Sequence, residues 1–264
     1  MSPRRGDRLV EAPAFILCTV RSGSTLLRVL LNSHSQIHSP HELHLRDIAV
    51  SLRSRYAEQA MREVGVDTTL LESRLWDRVL HRELEASGKR ILVNKTPSDA
   101  FITDRILECW PDARFIFLLR HPLAITRSRQ AVRPQDTLER NAKMVNRYGN
   151  AVEEARQKHT GLTVRYEDLA GDPQRETRRI CAFLGVPWEA EMLEYGDFEH
   201  GRYRAGLGDW KDKIRSGHVQ PPDPLPAPEE IPDVLRPLSR AWGYLPQDDG
   251  ASAPEPPVEV GQLS

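Results

Sequence analysis

Residues 14–32 read AFILCTVRSGSTLLRVLLN. The stretch opens as a continuous apolar run, passes through a turn of small residues, and goes on with leucines at helical spacing. A strand that turns directly into a helix presents backbone N–H groups at the helix N-terminus, where the helix dipole adds partial positive charge. The sequence therefore predicts an oxyanion site formed by Arg21, Ser22, Gly23, Ser24, Thr25 and Leu26.

The turn differs from the phosphate loop of ATPases and kinases. In the pattern G-x-x-x-x-G-K-[ST], the first glycine position is Cys18 and the lysine position is Ser24. A nucleotide-dependent kinase would thus lack its phosphate lysine. The simpler alternative is an ordinary strand-to-helix turn in which Ser24 or Thr25 caps the helix.

Three further apolar runs are typical of strands covered on both faces: residues 91–95, 114–119 and 162–166. They alternate with longer helical patterns, which predicts an α/β fold with a central parallel sheet flanked by helices. His121-Pro122 marks one helix start, and Asp172-Pro173 marks another that Gly185 ends.

The chain is predicted to contain one domain. Residues 1–13 are expected to be a flexible N-terminus, residues 14–245 the domain, and residues 246–264 a disordered proline-rich tail. Before that tail, a short helix should pack Leu235, Leu238 and Trp242. Residues 46–90 and 134–158 are predicted helical, and we expect them to form lid segments over a substrate site, with ordinary covering helices as the alternative.

Composition excludes several classes of partner. The formal net charge of -1 over 264 residues gives no global field for nucleic acid or an anionic membrane. The 3 cysteines, Cys18, Cys109 and Cys181, are far apart and indicate neither a disulfide framework nor a zinc site. With no apolar run long enough to span a bilayer, the chain is expected to be soluble and cytoplasmic and to hold no metal.

Two other segments favour binding of a larger anion. Arg120 follows the apolar run 114–119, and Ser128 lies in the next helical pattern, so the two side chains are candidates to clamp a second phosphate-sized group. The glycine-rich segment GLGDWKDKI, residues 206–214, offers Gly208, Trp210 to cover a base, and Lys211 to add charge.

Together these motifs carry a family resemblance. VRSGSTLL (20–27) resembles the 5'-phosphosulfate loop, and LLRHPLAITRS (118–128) the 3'-phosphate site, of sulfotransferases that use 3'-phosphoadenosine 5'-phosphosulfate (PAPS). VRYEDLAGDP (164–173), which contains Tyr166, and FLGVPW (183–188) are similar to segments of the same family. The resemblance implies a P-loop-like three-layer fold, a donor site that includes Tyr166, PAPS as co-substrate, adenosine 3',5'-bisphosphate as product, and no metal requirement.

The resemblance also implies catalytic residues. IHSPHELHL (37–45) is similar to the segment where tyrosylprotein sulfotransferases place a catalytic glutamate, and still more to the SP-x-ELHL segment of polyketide-synthase sulfotransferase domains. Glu42 is accordingly the first candidate for the general base, and His41 or His44 is the alternative. A carboxylate that only caps a helix or forms a salt bridge is the simpler interpretation of Glu42. Arg21 and Lys95, the latter in VNKTP (93–97), are assigned to leaving-group stabilisation.

The sequence departs from the family at one place. Tyr203, Arg204 and Ala205 stand where cytosolic members carry an Arg-Lys-Gly triplet, which weakens the expected 3'-phosphate contacts there. The predicted function is sulfuryl transfer to a hydroxyl of a small metabolite or of an acyl chain bound to a carrier protein. The resemblance implies a homodimer as the expected assembly. A nucleotide-dependent kinase and a non-catalytic nucleotide-binding module are the alternatives.

Overall fold

The computed structural model describes residues 8–200, 214 and 216–247. Its sheet consists of β1 (Ala14–Cys18), β2 (Ile37–His38), β3 (Ile91–Lys95), β4 (Arg114–Leu119) and β5 (Gly161–Arg165). The strands lie in the order β2-β3-β1-β4-β5, and every neighbouring pair is parallel. The predicted parallel sheet is confirmed at all four predicted runs. The two-residue β2 was not predicted, because so short a strand has no pattern of its own.

Helices cover both faces of the sheet. They are α1 (Ser24–Asn32), α2 (Arg55–Glu63), α3 (Thr68–Ser87), α4 (Thr103–Cys109), α5 (Pro122–Val132), α6 (Leu138–Lys158), α7 (Tyr166–Gly171), α8 (Pro173–Leu184) and α9 (Arg236–Ala241). Phe15 and Leu17 of β1 belong to one core, with residues of α3 to α6 and α9. Ala14, Ile16 and Cys18 belong to the other core, with α1 and α8. This alternation produces three layers.

The predicted helix boundaries are confirmed. His121 caps α5 by accepting a hydrogen bond from the Leu123 N–H at 3.2 Å, and Pro122 is the first helical residue. Asp172 caps α8 in the same way, accepting from the Arg175 N–H at 3.0 Å. Gly185 ends α8 at φ 73°, in the left-handed region that glycine adopts without steric cost.

The terminal helix also packs as expected. Leu235, Leu238 and Trp242 are buried in the core beside α6. The Trp242 indole Nε1 donates to Glu153 Oε2 at 3.1 Å, which satisfies the polar atom of this buried side chain. The tail beyond residue 247 lies outside the described residues.

The helical assignment of residues 46–90 and 134–158 is confirmed, but their expected place over a substrate site is not. Trp76 and Leu80 of α3, and Val145 and Val152 of α6, are buried in the core against the sheet. Among the described residues, neither segment contributes to the lining of the cavity at the sheet edge. α3 and α6 are covering helices, because their apolar faces are used by the core, whereas α2 has no buried residue.

The sheet order explains where a ligand can bind. The chain leaves β1 toward β2 and β3 on one side, and β4 lies on the other side of β1. Helices then leave the two sides of β1 in different directions, and a crevice opens at the carboxyl ends of these strands. In the ranges described, no helix is both long and apolar enough to cross a membrane. All 3 cysteines are buried and free.

Candidate active site

A cavity of about 750 Å³ lies at this crevice. Its lining includes most of the predicted site residues. They are Arg21, Gly23, Ser24, Thr25, Leu26, Glu42, Arg120, Ser128 and Tyr166. Segments far apart in sequence are thus brought together because each follows the carboxyl end of a strand or begins the next helix.

The turn between β1 and α1 depends on Gly23. This residue is the N-cap of α1 at φ 88°, and an added Cβ would lie 2.2 Å from Cδ2 of the Tyr166 ring. No side chain caps the helix, so the alternative of a turn capped by Ser24 or Thr25 is wrong. The first N–H groups of α1 therefore face the cavity, and no capping side chain accepts their hydrogen bonds. An anion site at a helix N-terminus requires this arrangement.

Ser22 has a different role from its neighbours. Its side chain is fully buried, and its hydroxyl donates to the Thr19 carbonyl at 2.8 Å. The hydroxyl therefore holds the turn closed, and any contact of Ser22 with a ligand must come from its backbone.

Two arginines converge beside the turn. The Arg120 guanidinium donates to the Arg21 carbonyl at 3.0 Å and lies over the Tyr166 ring, 4.2 Å from its centroid. The Arg21 Nε donates to Ser128 Oγ at 3.2 Å. Burial and the Arg120 charge lower the pKa of Arg21. Two like charges held together in a partly buried place are stabilised by a bound anion.

Glu42 and Lys95 form a close ion pair. The Lys95 Nζ lies 2.5 Å from Glu42 Oε1, and the lysine at the end of β3 is 1% exposed. Glu42 lines the cavity, whereas Lys95 lies behind it. The pair therefore sits at the wall of the cavity, with the carboxylate toward the open side.

The neighbouring histidines are less well placed. His41 is exposed, and its Nδ1 lies 2.9 Å from the Glu42 carbonyl oxygen. His44 Nε2 lies 3.6 Å from Glu42 Oε2, and His38 Nε2 lies 3.4 Å from Glu83. Among the described residues of the 37–45 segment, Glu42 is the one that lines the cavity.

A buried polar network holds the segment before Glu42. The Asn32 side-chain oxygen accepts from the Ser39 N–H at 3.0 Å, and Arg28 donates to the Ser39 carbonyl at 3.1 Å. The Ser39 hydroxyl donates to the Val93 carbonyl of β3 at 2.8 Å. Sequence reasoning missed these residues, although an arginine and an asparagine within the leucine-rich α1 were a usable signal.

Part of the cavity was not predicted at all. α5 contributes Arg127, Arg129 and Val132 beyond Ser128, its C-cap residue Arg133 follows them, and residues 220–226 contribute a proline-rich wall that contains Leu225. Three arginines within seven residues could have been recognised from the sequence as a local concentration of positive charge. Gly208, Trp210, Lys211 and the divergent Tyr203, Arg204 and Ala205 lie outside the described residues.

Comparison with known proteins agrees with this geometry. Residues 13–190, well over half of the chain, match the family model described as the sulfotransferase family. The chain belongs to the sulfotransferase family. A protein-tyrosine sulfotransferase of Drosophila melanogaster is 24% identical over 201 residues, which are 70% of this chain and 40% of that protein. The nodulation protein NoeE of Sinorhizobium fredii is 28% identical over 208 residues, 65% of this chain and 49% of that protein.

This sulfotransferase-family chain thus spans about half the length, or less, of these two curated relatives. Solved structures match it over more of their length. The sulfotransferase domain of the Synechococcus PCC 7002 olefin synthase has a TM-score of 0.64 at 24% identity, covering 92% of this chain and 98% of that one. The sulfotransferase domain from the curacin biosynthetic pathway has a TM-score of 0.62 at 24% identity, covering 89% and 99%. These likenesses confirm the P-loop-like three-layer fold.

Proposed function

We propose that this protein transfers a sulfuryl group from PAPS to a hydroxyl group and releases adenosine 3',5'-bisphosphate. The observation that carries the proposal is the junction of Arg21, Arg120 and Ser128 beside the uncapped N-terminus of α1. A donor with two separated anionic groups needs two such neighbouring sites.

The donor site divides between two anion-binding groups. The turn Gly23–Leu26 offers backbone N–H groups for the 5'-phosphosulfate, and Arg21 adds a guanidinium next to it. Arg120 and Ser128 are suited to the 3'-phosphate. The Arg120 guanidinium stacks on the Tyr166 ring, and this contact holds it in position. A metal ion is not required in this arrangement, since arginines supply the positive charge and a sulfuryl group carries less charge than a phosphoryl group.

Glu42 is the proposed general base and Lys95 the proposed electrophilic partner. Glu42 accepts a hydrogen bond from Lys95 and faces the cavity, where it can take the proton of an acceptor hydroxyl. Once Glu42 carries that proton, it no longer neutralises the ammonium, and the Lys95 charge behind the cavity wall stabilises the departing phosphate oxygen through space. Arg21 stabilises the same developing charge from the turn.

The proposed acceptor is a hydroxyl of a small metabolite or of an acyl chain on a carrier protein. The likeness to a sulfotransferase domain of an olefin synthase and to one from the curacin biosynthetic pathway supports the second class. We further propose a cytoplasmic location, since the three cysteines are free, and assembly as a homodimer, on family resemblance.

The deciding experiment is calorimetric titration with adenosine 3',5'-bisphosphate in EDTA, with AMP and ATP as comparison ligands. We expect micromolar binding of the bisphosphate, at least tenfold weaker binding of AMP, and loss of binding in Arg120→Ala. Arg140→Ala is the matched control, because this arginine of α6 is 78% exposed and does not line the cavity. Binding that instead requires magnesium and ATP would favour a kinase and overturn the proposal.

Catalysis is tested by incubating PAPS with 3-hydroxyacyl pantetheines and detecting the sulfated product by mass spectrometry. Glu42→Gln should lower kcat by 10²-fold or more and leave the bisphosphate Kd within about twofold. Equal turnover by Glu42→Gln would remove Glu42 as the base. Donor binding without any transfer over a wide acceptor panel would favour a non-catalytic nucleotide-binding module.

A further inference from the structure

The C-terminal end of α5 carries two cations that no carboxylate of the described residues neutralises by direct contact. Arg129 lies in the last turn of α5, Arg133 is the C-cap residue that follows the helix, and both line the cavity. Arg129 Nε is buried without a hydrogen-bond partner, and no ion pair joins either arginine to an acid within the described residues. Burial and the Arg133 charge lower the pKa of Arg129. Asp136 also acts on Arg129, but its ion pair is with Arg140 at 3.3 Å.

The other charged groups of the cavity are already engaged. Arg127 pairs with Glu230 at 2.5 Å, and Glu42 with Lys95. Glu167 accepts hydrogen bonds from the His121 N–H at 3.0 Å and the Tyr244 hydroxyl at 2.6 Å. Asp223 is the remaining acid in the lining, and it too has an interaction. A positive excess is therefore left at Arg129 and Arg133.

This positive excess lies in apolar surroundings, unlike the donor site. Ala131 and Val132 of α5 line the same cavity, as do Pro224, Leu225 and Pro226. Val132 is 37% exposed and Leu225 56% exposed, so both offer apolar surface to a ligand. A part of the cavity with two cations and an apolar wall suits a molecule that has an acidic group on an apolar body.

The donor has no third acidic group for these arginines. Its two anionic groups are matched by the α1 turn and by Arg120 with Ser128. Ser128 faces Arg21, whereas Arg129 is the next residue, about 100° further around the helix, and Arg133 is the residue that caps the end of α5. Glu42 and Pro97 line this same cavity, so the proposed base and the arginine pair share one cavity that is open to solvent.

We infer that Arg129 and Arg133 bind an acidic group, a phosphate or a carboxylate, of the acceptor substrate. The inference rests on the proposed function and narrows its acceptor to hydroxyl compounds that combine such a group with an apolar portion. The pair determines acceptor specificity and takes no part in the transfer of the sulfuryl group itself.

The test measures binding of two matched probe pairs to the protein saturated with adenosine 3',5'-bisphosphate. One pair is S-(3-hydroxyoctanoyl)pantetheine with and without its 4'-phosphate. The other pair is 3-hydroxydecanoate and its methyl ester. We expect at least one anionic probe to bind about tenfold or more tighter than its neutral partner. The preference should fall below about threefold in the double variant Arg129→Gln/Arg133→Gln and persist in Arg140→Gln, the matched control.

The probe pair that shows the preference identifies the acidic group: the pantetheine pair indicates a phosphate, and the hydroxydecanoate pair indicates a carboxylate. No preference in the wild type, no binding of either anionic probe, or an unchanged preference in the double variant would overturn the inference. A tenfold loss of bisphosphate affinity in the double variant would also overturn it, because the arginines would then belong to the donor site. If the bisphosphate fails to bind the wild type, the proposed function fails, and the same titrations without nucleotide still decide whether the arginines bind an anion.

Discussion

Strained backbone marks the candidate site at the scale of single residues. Arg21 at φ 72° and His44 at φ 50° are the non-glycine residues with positive φ in the described ranges. Each costs about 1 kcal/mol or more in backbone strain. Arg21 belongs to the anion-binding turn, and His44 follows Glu42 by two residues. Both stretches that carry proposed catalytic groups therefore keep a conformation that ordinary packing would not select.

Substitution of Gly23 tests the turn. Gly23→Ala should lower the free energy of unfolding by about 2–4 kcal/mol, because positive φ and the contact with Tyr166 both oppose a Cβ. Donor binding should be lost with it, since the Tyr166 ring must move from beneath Arg120. Urea unfolding and bisphosphate titration measure the two effects. Gly65→Ala is the control, because Gly65 also has positive φ, 68°, but nothing within 4 Å of an added Cβ. Equal effects of both substitutions would contradict the contact with Tyr166.

Asp99 is a buried acid close to the proposed catalytic pair. It is fully buried, and Asn94 Nδ2 donates to its Oδ2 at 2.7 Å, while its Oδ1 has no partner among the described atoms. Burial above all, with smaller contributions from the Glu42 and Asp47 charges, raises the pKa of Asp99 to about 8. Between the ordinary value of 3.8 and about 8, the folded state binds this proton and the unfolded state does not. The free energy of unfolding therefore falls as pH rises through that window.

Removing this ionisation should flatten the pH dependence. Asp99→Asn keeps an acceptor for Asn94 and cannot ionise. At pH 9 the free energy of unfolding of this variant should therefore exceed that of the wild type by an amount on the order of 1–3 kcal/mol. Near pH 4 the two proteins should be alike. Urea unfolding from pH 4 to 9 measures this. Asp104→Asn is the control, because Lys158 and His159 near this exposed carboxylate lower its pKa, and it should show no gain at pH 9. A constant difference between Asp99→Asn and wild type at every pH would refute the titration.

At the scale of elements, α1 connects the two halves of the site. Its N-terminus forms the proposed anion-binding turn, and its Arg28 and Asn32 side chains form two hydrogen bonds with Ser39, one with the carbonyl oxygen and one with the N–H. Two residues separate Ser39 from Glu42. The position of the carboxylate is therefore set by the same helix that is proposed to bind the donor, which would keep the proposed base and the sulfuryl group in register.

Loss of that connection should lower turnover and leave donor binding unchanged. In Asn32→Ala the Ser39 N–H loses its acceptor, and the Glu42 segment is free to shift. We therefore expect kcat to fall about tenfold, while the bisphosphate Kd stays within about twofold of the wild-type value. Steady-state kinetics and calorimetry separate the two. Ser33→Ala is the matched control on the same helix, because its buried hydroxyl only donates to the Val29 carbonyl at 2.9 Å. Equal losses of kcat in both variants would reduce the role of Asn32 to general helix stability.

Strands with continuous apolar patterns could be predicted from the sequence. Helix ends could also be predicted where the capping residue has a strong local preference for that position. The runs at 14–18, 91–95 and 114–119 are strands because both faces are buried. Asp172 begins α8 by accepting a backbone hydrogen bond, and Gly185 ends it in the left-handed conformation. β2 was missed because two residues pair only through the sheet around them. The sequence left a lid and a covering role for α3 and α6 both open, since an amphipathic pattern does not show which surface it covers. The Ser39 network and the Arg129–Arg133 pair depend on contacts between distant segments.

At the scale of the whole molecule, two cores hold the cavity walls separately. The core on the α1 and α8 side supports the turn, while the core on the α5 and α6 side supports Arg120 through β4 and the start of α5. β1 runs between β3 and β4 and links the two sides. A donor bound across the carboxyl ends of these strands contacts both sides at once. Its binding energy is then added to the stability of the fold as a whole.

The bisphosphate should accordingly protect the whole molecule against heat. At 100 times its Kd it should add about 2.7 kcal/mol to the free energy of unfolding, which for a domain of this size raises Tm by roughly 5–10 °C. The shift should be the same in EDTA and in magnesium, because arginines and helix N–H groups supply the positive charge in the proposed donor site. Differential scanning fluorimetry measures it, and Arg120→Ala should show no shift at the same concentration, while Arg140→Ala should keep it. A shift that appears only with magnesium, or a larger one with ATP, would mean that a metal completes the anion site and that the donor is a nucleoside triphosphate.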